Sequence, residues 1–403
     1  MILELEKTNK ELFLSKDVNN REIYFFNLKD VQFVGQDLYY PNVFAFSRSD
    51  NNFYRVIREK IMSLKNIKDI NFNFKKYESK HMVNQPVFYF IYNTDNYYHF
   101  IYDTLPYIIS FNKIKEKIPS LKLLMNYPNK EKNTFYKFVE EFLYLLNIKK
   151  EDILIISPET IYSNVYFSSS YTHDIDSNLP PRKEIYEFYK SLTDQIKNEF
   201  DLPKKIYISR RTWTTKDHSN IGTNYTTRRK LINEDELVLL LQKHQYREIF
   251  TENLSTKEKI LLFKNASNII GAFGGGICNV LFSDKNPNLT AIESPGFLDV
   301  NNRFIYSLKN TNLKIFKDTE HIEKTKFKKY MRVQYGSIIG EIIEVNKNFI
   351  ELAYTDDFVA GWNYDLKLKN IKVDPKLCKI LDNGLNSNWK INIKKFKNEV
   401  LGI

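Results

Sequence analysis

The chain has 403 residues and a net charge of +11, with only two cysteines, Cys278 and Cys378, far apart. Such cysteines exclude a disulfide framework and a thiolate metal motif, and no apolar run approaches the ~18 residues of a membrane helix. The basic balance suits nucleotide phosphates, an anionic polysaccharide, an acidic membrane surface or nucleic acid.

In chain order, 22–34 suggests a hairpin and 53–64 a helix. A strand at 87–92 leads through a polar turn, Asn93 to Asn96, into a helix at 97–112. A strand at 121–126, an amphipathic helix at 131–146 and strands at 153–157 and 164–170 follow. Pro180 and Pro181 mark a boundary before a helix at 183–200. The second half alternates more strictly: strand 205–209, a helix after Asn233, strand 246–250, a helix opened by Ser255 with Glu258, strand 268–272, a glycine loop and strand 289–293. Asn233 with Glu236 reads as a capping box. This order predicts a parallel sheet with helices on both faces. Ligands of such sheets bind outside the carboxyl ends of the strands. Arg210, Arg211, the glycine loop and Glu293 all fall there. Beyond 330 the chain reads as short strands, a β-rich extension whose aromatics Trp362, Tyr364 and Trp389 suit either core packing or stacking on sugars.

The stretch GAFGGGICNVLF, 271–282, follows a strand and opens a helix. Its geometry lets a ligand approach the backbone and points N–H groups at an anion; a tight turn without a ligand reads equally well. Together with YYHFIYDTLPYI (97–108), KIYISRR (205–211), RRKLINEDEL (228–237), LSTKEKILLFKNASNIIGAFGGGICNVLF (254–282) and AIES (291–294), it resembles glycosyltransferase family 61. The resemblance spans roughly 85–295. It implies an α/β fold of GT-B type, two Rossmann-like domains facing across a cleft, and inversion at the anomeric centre. The expected division is 1–181 as the acceptor-side domain, 182–329 as the nucleotide-sugar domain and 330–403 as the β-rich extension. One position departs from the family: it usually carries His before the glycine pair, and this chain has Phe273.

A transferase of this kind holds a nucleotide diphosphate, stabilises its developing charge and deprotonates an acceptor hydroxyl. The expected donor site is the backbone of Gly274, Gly275 and Gly276 with Asn279, Arg210, Arg211, Asn233, Glu234 and Glu293. Adjacent strand-end residues alternate, so one of the two arginines faces away. Helix capping is the simplest alternative for Asn233 and Glu234, and ion pairing for Glu293 and the arginines. His99 and Asp103, at i and i+4, share a helix face and form the expected catalytic pair. Either Asp103 is the base with His99 orienting it, or His99 is the base, since imidazole titrates near neutrality. The alternative is a pair that merely positions the helix.

No cofactor is expected, and basic side chains can replace a metal at a diphosphate. Asp174 and Asp176 form a metal-like cluster that reads more simply as a solvated loop. The expected partners are a nucleotide-sugar donor and a glycan acceptor, as in capsule or other surface polysaccharide synthesis, with the basic surface suited to peripheral membrane contact and no nucleic acid. The N-terminal stretch is too charged for a secretory signal, and the expected location is the cytoplasm. The rival reading is a non-catalytic nucleotide-sugar or anionic-glycan binding protein.

Overall fold

The computed structural model describes residues 23–34, 43–56, 61–63, 79–91, 93–128, 132–172, 181–182, 184–197, 201–211, 230–295, 311–321, 327–329, 331–354, 369–380 and 388–403. Asp174, Asp176, Pro180, Trp362 and Tyr364 lie outside the described residues.

The first half builds a nine-stranded mixed sheet. Its strands are β1 (Phe25–Val34), β2 (Phe44–Ser47), β3 (Asn52–Val56), β4 (Ile61–Ser63), β5 (His81–Val83), β6 (Val87–Tyr89), β7 (Lys122–Met125), β8 (Ile153–Ile155) and β9 (Thr160–Ser168). The order is β4-β3-β2-β1-β9-β6-β7-β8, with β5 also on β9. The pairings among β5 to β9 are parallel. Those from β9 outward to β4 are antiparallel.

Two expectations fail in this antiparallel flank. The hairpin expected over 22–34 is one continuous strand, kinked at Asp30, whose φ is 49°; its hairpin-type neighbour is β2, reached through the following segment. The helix expected over 53–64 is the strand pair β3 and β4. Phe53, Tyr54, Val56 and Ile61 are strand formers. Asn51, at φ 50°, turns the chain back so that β3 pairs with β2.

The second half builds a five-stranded, wholly parallel sheet. It comprises β10 (Lys205–Ile208), β11 (Arg247–Ile249), β12 (Asn268–Ala272), β13 (Asn288–Ile292) and β14 (Asn312–Phe316), in the order β11-β10-β12-β13-β14. Central strands such as KIYI and NIIGA are apolar nearly throughout because helices cover both faces. The Thr256–Asn265 helix opens with the expected capping box, Ser255 and Glu258 exchanging side-chain and backbone hydrogen bonds.

The Glu234–Lys243 helix starts differently. Asn233 occupies the N-cap, yet its side chain makes no capping bond. It holds the C-terminal segment instead: Nδ2 donates to the Ile391 carbonyl at 2.8 Å and Oδ1 accepts from the Ile391 N–H at 3.1 Å. Ile391 ends β21 (Trp389–Ile391), the partner of β15 (Thr319–His321). Trp389, Ile391 and Phe396 share a core with Tyr207, Leu231, Leu241, Ile270, Ile292 and Phe316. The last residues therefore leave the expected extension and seal one face of the parallel sheet. Between them stands an antiparallel sheet of β16 (Arg332–Tyr335), β17 (Ile338–Val345), β18 (Ile350–Tyr354), β19 (Lys369–Val373) and β20 (Lys379–Ile380), with its own core on Met331, Val333, Ile342 and Leu352.

The largest core runs without a break from the first sheet into the second. Phe282 is its hinge pin: it stacks on Phe142 at 6.1 Å and meets Tyr189 edge-on at 5.6 Å. Phe282→Ala is expected to cost about 3–5 kcal/mol in a single cooperative denaturant transition. Two resolved transitions in the wild-type protein would mean that the sheets fold apart. Asn233→Ala is expected to lower stability by about 1–3 kcal/mol, since it strands buried backbone groups. Nucleotide affinity is expected to hold; weakened affinity at unchanged stability would return Asn233 to the donor site.

Candidate active site

The first-sheet contribution starts where β6 ends. Asn93 and Asn126 bind each other's backbone carbonyls through their side-chain amides, at 2.8 and 3.3 Å, and lock the carboxyl ends of β6 and β7 together. Asn96 then caps the next helix by accepting from the His99 N–H. One α-helical turn, Tyr97–His99, passes into a π-helical stretch, Phe100–Thr104, before the α-helix Tyr107–Lys115. Pro106 lacks the N–H that an α-helix would use at that point, and the turn widens. Leu105 N–H closes the wide ring on the Phe100 carbonyl at 2.8 Å. Wide turns of this kind recur at functional sites.

His99 and Asp103 meet as the spacing predicts: Nδ1 lies 2.7 Å from Asp103 Oδ2. Their exposures differ. The Asp103 side chain is wholly buried, while 17% of the His99 side chain is open to solvent. The imidazole is the member of the pair that reaches outward.

The second-sheet contribution gathers at the carboxyl ends of β10 and β12. Glu234 Oε1 accepts from Tyr207 O–H at 2.8 Å, Ser209 O–H at 3.1 Å and the Arg210 N–H at 2.6 Å. Burial pushes this carboxyl up, and these bonds and the Arg210 charge oppose the shift. Glu234 is thus buried and anchors the strand end through Oε1.

The two arginines part as alternation requires. Arg211 forks onto Glu248, with both bonds at 2.6 Å, and reaches Asp235 at 2.5 Å. Arg210 is buried, at 7% exposure, and its guanidinium turns to the glycine loop. A Cβ placed on Gly274 would stand 3.3 Å from Arg210 Nη1. Burial pushes Arg210 down from its ordinary value against the pull of Glu234.

The loop's glycines answer to their neighbours. A Cβ on Gly276 would lie 2.6 Å from Ile208 Cγ2, an approach no side chain tolerates. A Cβ on Gly275 would touch Tyr97 Cδ1 at 3.7 Å and Tyr98 N at 3.8 Å. The glycine loop of the second sheet therefore rests on the turn that carries His99. The helix after the loop, Ile277–Phe282, is a short 3-10 helix. Asn279, fully buried, accepts from Tyr97 O–H at 2.5 Å and donates to the Gly276 carbonyl at 2.8 Å. It braces the loop. Glu293, half-buried, follows β13; its backbone N–H bonds to Phe316 and its carbonyl accepts from Thr319. Phe273 is buried in the shared core.

The structure thus brings Arg210, Gly274 to Gly276 and the His99–Asp103 pair into one neighbourhood. It turns Arg211 and Asn233 to other partners. Sequence reasoning missed Tyr97, which touches both the loop and Asn279, and Lys259, whose Nζ lies 4.4 Å from the Tyr97 ring centre. The signal for Lys259 was its place on the helix face shared by Thr256, Ile260 and Phe263, all buried.

Among the described residues no group of three or more His, Cys, Asp and Glu side chains forms a metal site, and no helix is long and apolar enough to cross a membrane. No curated protein matches the chain. One similar solved structure is the bacterial iron-containing dodecameric glycosyltransferase TibC from enterotoxigenic E. coli H10407. It is 12% identical over 68% of this chain and 78% of that chain, with a TM-score of 0.26. Residues 97–292 match the family described as Glycosyltransferase 61, a span that opens at Tyr97 and closes at the end of β13. That span, just under half of the chain, is a match to a glycosyltransferase family 61 domain and supports a glycosyltransferase.

Proposed function

We propose that the protein is an inverting, metal-independent glycosyltransferase of GT-B type. It moves a sugar from a nucleotide-sugar donor to a hydroxyl of a glycan acceptor, in capsule or other surface polysaccharide synthesis at the cytoplasmic face of the membrane. One observation supports this above the rest: the glycine loop, with Arg210 beside it, rests on the helical turn that carries His99. A diphosphate on the loop and a hydroxyl at the imidazole would then be neighbours.

In this reading the buried Asp103 is the orienting carboxylate and His99 the base. Asp103 accepts from Nδ1–H and leaves the Nε2 lone pair facing outward. The acceptor oxygen attacks the anomeric carbon as its proton passes to Nε2. The bond from that carbon to the diphosphate oxygen breaks on the opposite face. The electron pair leaves with the diphosphate, where Arg210 and the loop N–H groups meet the charge. Arg210 meets that charge from a buried position, with its backbone N–H bonded to Glu234 and its Nη1 beside Gly274. Glu293 stands at the next strand end, where hydroxyls of the donor are within its compass.

The test is single-turnover transfer with a panel of nucleotide sugars and glycan acceptors, measured beside nucleotide affinity. Arg210→Ala is expected to lose about 3 kcal/mol of transition-state stabilisation, the scale of one preorganised donor, while Arg211→Ala is expected to lose stability and keep its rate. His99→Ala is expected to abolish transfer and spare donor binding. Asp103→Asn is expected to slow transfer strongly, because an amide can hold the wrong tautomer. Chelator is expected to change nothing. Equal losses in the two arginine variants, or full transfer by His99→Ala, would overturn the assignments. Binding of nucleotide sugar with no turnover under any pairing would favour a non-catalytic binding protein.

A further inference from the structure

Lys259 lies on the Thr256–Asn265 helix of the second sheet and is buried, at 8% exposure. Among the described residues it forms no salt bridge. Its Nζ lies over the face of Tyr97, 4.4 Å from the ring centre. Glu141 and Glu252 act on it from farther out, and Glu141 holds the start of the same helix by accepting from the Thr256 N–H at 2.7 Å.

Tyr97 is thus gripped at both ends by the second sheet. Lys259 sits over its ring, and Asn279 accepts its hydroxyl at 2.5 Å. The ring edge lies against Gly275. His99 stands two residues on, in the same helical turn. Where Tyr97 sits decides how far the imidazole stands from Gly274 to Gly276.

Burying an ammonium with no ion pair is costly, and an apolar side chain of similar length would serve packing alone better. The charge has a directional use that methylene groups lack, since it holds the ring face in one place. We propose that Lys259 is a positioning residue for glycosyl transfer: through Tyr97 it sets the reach of His99 to the donor loop. This rests on the reading of His99 as the base.

The experiment uses the full chain with Lys259→Met, Lys259→Arg, Tyr97→Leu and the double Lys259→Met/Tyr97→Leu variant. Lys259→Met is expected to fold at least as stably as wild type and to lose roughly ten- to hundredfold in kcat, the cost of a small misplacement of a reacting group. Nucleotide affinity is expected to stay within about twofold of wild type, as for a change in the transition state alone. Lys259→Arg is expected to recover most of the rate. The double variant is expected to be no slower than Tyr97→Leu, because the two side chains act as one unit. Hydrogen exchange at amides 98–104 is expected to quicken in Lys259→Met and to return in Lys259→Arg.

Full kcat in Lys259→Met, no recovery by Arg, or losses that multiply in the double variant would each overturn the proposal. Should His99→Ala keep full activity, the reading of the base fails. The exchange measurement then judges Lys259 by itself: unchanged exchange in Lys259→Met overturns the positioning role, and Arg-restored protection upholds it.

Discussion

The architecture turns on one close contact. Gly275 lies against Tyr97 and Tyr98, and that approach brings the donor-side loop to the helix of the first sheet. It is an ordinary van der Waals contact, so its strength comes from what surrounds it. Tyr97 packs edge-on against Phe138 at 5.4 Å and bonds to Asn279, while Phe282 lies between Phe142 and Tyr189. Close-packed interiors transmit displacement instead of absorbing it. A Cβ at 275 fits at ordinary contact distance from Tyr97 and Tyr98, and a longer side chain has to find room beside them. Gly275 and Gly276 thus answer to packing, and the proposed function adds ligand access to the same positions.

The charges follow from the same edge. Two adjacent arginines at a strand end must diverge, and the structure gives each a different environment. Arg211 meets Glu248 and Asp235 near solvent, where its hydrogen bonds to Glu248 hold its charge firmly and spend it on the surface. Arg210 is desolvated beside the loop, with Glu234 fixing its backbone rather than forking its guanidinium. A short 3-10 helix of six residues after the loop offers little dipole. Of these two arginines, Arg210 is the one whose charge stands beside the loop.

The parallel sheet was legible because its strands are apolar runs separated by helices with readable caps, as at Ser255 and Glu258. The antiparallel flank was not. In 53–64 the spacing of Phe53, Val56 and Ile61 suits a helix as well as a strand, and only pairing with β2 decides it. The i, i+4 spacing of His99 and Asp103 was enough to predict their contact, but not which would be buried. That depends on the π-helical turn, and the turn depends on the neighbours of Phe100 to Thr104. Asn233 shows the converse. Its sequence context is a cap, yet its amide is taken by Ile391, which comes from more than a hundred residues away. Lys259 and Tyr97 carry no signal beyond helical periodicity, because their meaning comes from an encounter between two sheets.

Phe273 brings these strands of argument together. The resemblance drawn from the sequence leads one to expect His at this position. Its N–H bonds to the Ile292 carbonyl, tying β12 to β13, and its ring is in the shared core. An imidazole in that apolar setting would need a partner for each ring nitrogen or would be stranded at a cost. Phenylalanine removes that demand and adds apolar burial to the core the two sheets share. Polar contact with a donor from that position is lost with it. In the function proposed above, recognition of a diphosphate then falls on Arg210 and the backbone N–H groups of the loop. The turn beside the loop, which carries His99, comes from the other sheet. The substitution moves polar work away from β12, and the Tyr97 contact with Gly275 keeps the remaining groups within range of one another.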